Sequence, residues 1–440
     1  MSSARRDLQL ASLVTLGFGF LTGKVIAVTW GAEGVGYQSA VVGAGSLAAL
    51  LCTFAIGNVL PEMAATRPTS TSTDFGRAFW RACGVAAIPA AGLALILTAP
   101  ELSRSFALTT VTLAVVLATA GSALLAFRAV ALSVFGDGSV AARFQLISAA
   151  VTSLTIVSGV LFAPIHLLPL AVGSGILLGP AVSSVATLSG IRVRGPHAPV
   201  SVRGLVGHAL PTYGSSLLSA GAAAVAPLIM LNLSGAEPTG MLRAVSSLGG
   251  LPAAVVVPAI ALHFYPTVSQ QIAAGENPTI MTRDSIDHLG GRAALAGVAL
   301  AVAAPLALWA AYSASFAGAA AALALMASAG GVRAIALHGA YLLLATGRRA
   351  TYLAAESCAA IVLLAGTVLA GWYGHVTGAA GKALLSAGPY LVFLKLALRR
   401  LGTGEQNALP VPAKLVVAHL LIVLGAAGWA VLSANGFLEG

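Results

Sequence analysis

Thirteen largely apolar stretches, each about 20 residues or longer, follow one another along this chain. They cover 8–30, 37–63, 79–98, 105–130, 140–163, 167–190, 206–232, 239–266, 288–312, 316–346, 350–372, 376–398 and 413–435. No segment alternates apolar and polar residues with period two, as barrel strands do. In hydrocarbon every backbone N–H and C=O needs an internal partner, so such runs are predicted to be membrane-spanning helices. Composition agrees. Only 8% of the 440 residues are charged, against about 25% in a soluble protein. The first run follows a basic start but is long, contains Lys24 and ends in no clear cleavage site, so it is read as a retained span.

Basic residues set the orientation. With Arg5 and Arg6 in the cytoplasm, alternate connections hold Arg67, Arg77, Arg81, Arg128, Arg143, Arg192, Arg194, Arg203, Arg283, Arg292, Arg348, Arg349, Lys395, Arg399, Arg400 and Lys414 on the same side. Eighteen of 23 basic residues then face inward, the asymmetry expected of a cytoplasmic surface. The net charge of +10 is thereby assigned to that membrane face, and nucleic acid is not expected as a partner.

The chain also repeats itself. GAEGVG at 31–36 returns as GAEPTG at 235–240, 204 residues later. Each copy follows one apolar run and opens the next. Pro61 lies 25 residues after Gly36, and Pro266 lies 26 after Gly240. Both copies run from outside to inside, which predicts parallel repeats. Gly suits the tight outer turn, and the shared Glu suits the positive end of the following helix. The boundaries are an N-terminal six-helix lobe at 1–195, a linker at 196–205, a C-terminal six-helix lobe at 206–400, and a connector with one extra span at 401–440.

These stretches carry a family resemblance. VTWGAEGVGYQSAVVGAGSLAALLCTFAIGNVLPEMAA (28–65) resembles the first helical hairpin of bacterial polysaccharide flippases. Residues 209–270, beginning ALPTYGSSLL, resemble the start of their second half, and GHVTGAAGKALLSAGPYLVFLKLAL (374–398) resembles their twelfth helix. These flippases belong to the multidrug/oligosaccharidyl-lipid/polysaccharide (MOP) exporter superfamily, with the lipid II flippases and the multidrug and toxin extrusion (MATE) transporters. The resemblance implies an all-α membrane protein with two lobes in a V-shaped, MATE-like arrangement. It implies transport of a polyprenyl-pyrophosphate-linked glycan across the inner (plasma) membrane of a bacterium by alternating access. Membrane lipids and a glycan polymerase or glycosyltransferases are the implied partners. A thirteenth span departs from the usual twelve.

Ionisable groups within spans cost about 2.5–3.5 kcal/mol on insertion scales and face a cavity or a partner. Lys24, Arg243, Arg333 and Lys382 are the candidate anion-binding cations, since guanidinium and ammonium groups hold phosphate oxygens. Snorkelling to the interface is the alternative for Arg243 and Lys382, and a structural pair with Glu356 is the alternative for Arg333. Glu356 is also the candidate for ion or proton coupling. Glu62 and Arg128 are candidates for an inner gate. His263 and His338 read as packed polar residues. Pro211, Pro227, Pro252 and Pro258 mark spans seven and eight as places for kinks.

Cys52, Cys83 and Cys358 lie singly in apolar runs with no metal-ligand spacing. No nucleotide-binding, HExxH or GxSxG motif occurs, so neither an enzyme nor a cofactor is expected. Two other readings stand beside the flippase: a cation-coupled multidrug exporter of the same superfamily, and a non-transporting membrane partner of a glycan polymerase.

Overall fold

A computed structural model describes residues 3–53, 72–135, 138–187, 202–260 and 264–373. All regular structure among them is helical. The helices are α1 (Ser3–Thr53), α2 (Ser72–Ser105), α3 (Leu108–Phe135), α4 (Gly138–Phe162) and α5 (Leu168–Ala186). Then come α6 (Val202–Ser216), α7 (Ala222–Ser234), α8 (Ala236–Gly249), α9 (Leu251–Ala259) and α10 (Tyr265–Ala273). The series ends with α11 (Thr279–Ser285), α12 (Gly291–Val302), α13 (Ala304–Ala311), α14 (Ala320–Ala345) and α15 (Arg349–Tyr373).

Eight helical stretches among the described residues are long and apolar enough to cross a membrane, or nine with one bent pair. This is a multi-pass membrane protein. Expected spans one and two fall on the single 51-residue α1, broken at Gly31, whose φ of 65° and ψ of −161° are not helical. Span seven is continuous from α6 to α7 through a π turn at Leu217–Gly221. Two of the expected spans are not single rods. Span eight is broken between α8 and α9 at Gly249 and Gly250 and continues into residues outside those described. Span nine, α12 with α13, bends by 80°. Ala303 leaves the helical region there and a proline stands at the start of α13. Proline has no N–H to continue the ladder and its ring crowds the preceding turn. Spans twelve and thirteen lie outside the described residues.

The chain forms two compact units, Met1–Gly240 and Met241–Gly440. In the first, α1 runs against α2, α3, α4, α5 and α7, and α5 lies between α3 and α4. Small residues permit these approaches. A methyl group added to Gly121, Gly173 or Gly45 would strike the backbone or side chain of the facing helix. Polar contacts add to the packing: Thr22 and Ser153 join hydroxyls at 2.5 Å between α1 and α4, and the Ser153 hydroxyl also reaches the Phe18 carbonyl at 2.8 Å. In the second unit, α14 is the central element, in contact with α9, α10, α12, α13 and α15.

The duplicated turn is visible in the backbone. Gly31 and Gly235 both take positive φ, 65° and 90°, which side chains other than glycine adopt at a cost. Each turn precedes a helix with an acid in its first turn, Glu33 or Glu237. Glu33 accepts a 2.6 Å hydrogen bond from the Tyr37 hydroxyl, which also meets Ser105 Oγ at 2.7 Å. The two copies touch reciprocally. A methyl on Gly36 would overlap the Ala236 carbonyl, and a methyl on Gly240 would overlap the Ala32 carbonyl.

Candidate functional site

Helix α14 carries the clearest signal. It is built from Ala, Gly, Leu and Val, which let neighbours close in on every side, and nearly all its residues are buried or half-buried. Arg333 is the only exposed residue between Ala320 and Ala345. It stands midway along the helix, between Val332 at 8% and Ala334 at 0% exposure. One turn earlier, Gly330 lies against the backbone of Gly249 and the ring of Pro252, so α14 meets the end of α8 almost without intervening side chains. An otherwise enclosed helix thus opens at one point, and that point is a guanidinium.

Arg333 has acidic company. Tyr352, one turn before Glu356 on α15, lies near both the Glu356 carboxylate and Arg333. Glu356 is buried at 6% exposure. Its Oε2 has no hydrogen-bond partner among the described residues. Among the described residues the two charges make no direct ion pair, so the structural-pair alternative is not seen as a salt bridge. A buried carboxylate with a vacant oxygen carries the cost of an unsolvated charge, which a bound cation offsets.

The remaining candidates are separate. Arg243 is exposed on α8, near Tyr312. Lys24 is half-buried on α1, in the other unit, and shares its face with the exposed Leu21 and Val28. Arg128 donates from Nη2 to the Ser184 carbonyl at 3.2 Å, which ties α3 to α5. Glu62, His263 and Lys382 lie outside the described residues.

His338 is fully buried. A carbonyl can only accept, so Nδ1 donates to the Ala334 carbonyl at 3.0 Å and the neutral ring accepts from Ser285 Oγ at Nε2, 3.0 Å away. With both nitrogens engaged and Phe264 edge-on at 5.0 Å, it is a packed polar residue. Asp284 and Asp287 are exposed. Among the described residues no three His, Cys, Asp or Glu side chains gather to hold a metal ion. The sequence reading missed one contact of another kind: Cys52 and Cys83, each read as solitary, meet between α1 and α2.

Comparison with solved structures places this architecture. The lipid II flippase MurJ in an inward closed conformation aligns over 98% of this chain and 99% of its own, with a TM-score of 0.58 at 11% identity. An inward-facing MATE multidrug resistance transporter of the MOP superfamily aligns over 92% of this chain and 99% of its own, with a TM-score of 0.53 at 10% identity. The chain has the MOP transporter fold. No protein-family model and no curated protein matches the sequence. At this identity the likeness to MOP transporters concerns the fold, and the ionisable groups must be read from this chain itself.

Proposed function

We propose that this protein moves a lipid-linked, pyrophosphate-bearing saccharide precursor across a bacterial inner membrane by alternating access of its two repeats, 1–195 and 206–400, with the N-terminus in the cytoplasm. The observation that carries the reading is Arg333, the single exposed position on an enclosed mid-membrane helix. A pyrophosphate must shed water to cross a low-dielectric region, and a fixed guanidinium with several N–H donors offsets part of that loss. The fold shared with a lipid II flippase supports the same class of cargo. Lys24, Arg243 and Lys382 are secondary cations in this reading, and Arg128 with Glu62 belongs to its inner gate. A glycan polymerase or glycosyltransferases would supply and consume the cargo.

A second reading is favoured by Glu356. Its buried carboxylate with a vacant oxygen suits the coupling ion of a cation-driven multidrug exporter. Reconstitution separates the two. Proteoliposomes holding the purified chain and a fluorescent polyprenyl-pyrophosphate glycan should lose accessible label to an external quencher at a protein-dependent rate. Cationic dye uptake driven by a proton or sodium gradient, with no flipping of the glycan lipid, would favour the exporter instead.

A further inference from the structure

Cys52 in α1 and Cys83 in α2 are 31 residues apart in sequence, yet their sulfurs lie 3.4 Å from each other. Both are buried, at 0% and 4% exposure. Cys83 directs its thiol hydrogen at the Cys52 sulfur, and Cys52 directs its own at the Ala49 carbonyl, 3.4 Å away. The thiols are therefore aligned with each other rather than merely filling adjacent gaps. A disulfide needs the sulfurs at about 2.05 Å, so oxidation has to draw the two sulfurs closer together. Tyr213 fixes the same turn of α1 from α6, its hydroxyl donating to the Leu51 carbonyl at 3.1 Å.

We propose that Cys52 and Cys83 form a redox-modification site: a dithiol that oxidants of the peroxide class convert to a disulfide tying the second limb of α1 to α2. One thiolate attacks a peroxide oxygen, giving a sulfenic acid and expelling hydroxide, which takes up the proton that the thiol gave up and leaves as water. The other sulfur then attacks that sulfenic sulfur, and the hydroxyl leaves as a second water after taking a proton. Two thiols and one hydrogen peroxide thus give one disulfide and two waters, with two electrons passing from sulfur to oxygen. Cytoplasmic thiol reductants favour the open dithiol, so the cross-link is the state reached under oxidative stress. The inference is independent of the cargo, since it rests on α1 and α2 alone.

The test counts thiols in full-length protein carrying Cys358→Ser, which removes the exposed third cysteine. Protein purified in detergent with dithiothreitol is treated with hydrogen peroxide, denatured and labelled with a maleimide-polyethylene glycol. Two labels are expected before oxidation, none after, and two again after dithiothreitol. Peptide mass spectrometry of the untagged wild-type chain should show residues 52 and 83 linked and lighter by two hydrogens. Two labels persisting after peroxide, or a loss that dithiothreitol does not reverse, would overturn the proposal. Adding Cys52→Ser or Cys83→Ser should leave one label with or without peroxide; reversible loss in either variant would also overturn it.

Discussion

Gly36 rests on the carbonyl of Ala236, and Gly240 rests on the carbonyl of Ala32: each copy of the duplicated turn presses its last glycine into the second residue of the other. A side chain at either glycine would meet backbone, which cannot rotate aside. Gly36→Ala and Gly240→Ala should each cost about 1–3 kcal/mol, the range for forced overpacking. Gly84→Ala in α2, where nothing lies within 4 Å of the added carbon, should cost nothing. Thermal unfolding of the three variants in one detergent checks the contrast.

The first glycine of each turn makes a different demand. At Gly31 and Gly235 nothing lies within 4 Å of an added carbon, but both have positive φ. Gly31→Ala and Gly235→Ala should therefore lose about 1–3 kcal/mol through backbone strain alone, because with ψ of −161° and −175° both lie in a region that essentially only glycine adopts. Asn is at home in the left-handed helical region, not in this one, and should lose as much as Ala. The same melts read this out.

These two pairs show what the sequence disclosed. GAExxG was recognisable as a repeat because the turn needs glycine for conformation at one end and for contact at the other, and both needs write themselves as residue type. Most spans were legible because lipid demands long apolar runs. The break at Ala303 was not: a proline after Ala303 and Ala304 reads equally well as a tolerated kink. Nor was the pairing of Cys52 with Cys83, since the register of α1 against α2 decides it. Tyr352 and Glu356 are four residues apart, a spacing that puts both on one face of α15. That Arg333 opens outward while its small neighbours are sealed depends on α9, α12 and α15, which no local pattern encodes.

The proximity of Tyr352 to Glu356 predicts coupling between these residues. Tyr352→Phe removes the hydroxyl and Glu356→Leu removes the carboxylate, so the double variant should lose less stability than the sum of the singles. A cycle of the four proteins should give a coupling energy of about 0.5–3 kcal/mol. Additive losses would mean the hydroxyl and carboxylate do not act on each other.

Tyr37 predicts a smaller, local effect in the other unit. Tyr37→Phe removes the hydroxyl bonded to Glu33 and Ser105 but keeps the ring, which stands edge-on to Phe106 at 4.7 Å. The loss should be about 0.5–1.5 kcal/mol per hydrogen bond. Hydrogen exchange around 31–37 should rise in Tyr37→Phe, with α14 unchanged.

The account turns on Arg333. The decisive measurement is the flipping rate of a fluorescent polyprenyl-pyrophosphate glycan in proteoliposomes containing wild type, Arg333→Lys or Arg333→Ala, with equal folding of all three confirmed by thermal melts. A point charge without the guanidinium fork should keep part of the activity, so Lys should fall between the others, and Ala should be at least tenfold slower than wild type, a loss of about 1.4 kcal/mol or more in transition-state stabilisation. Arg333→Ala flipping at the wild-type rate would contradict the account.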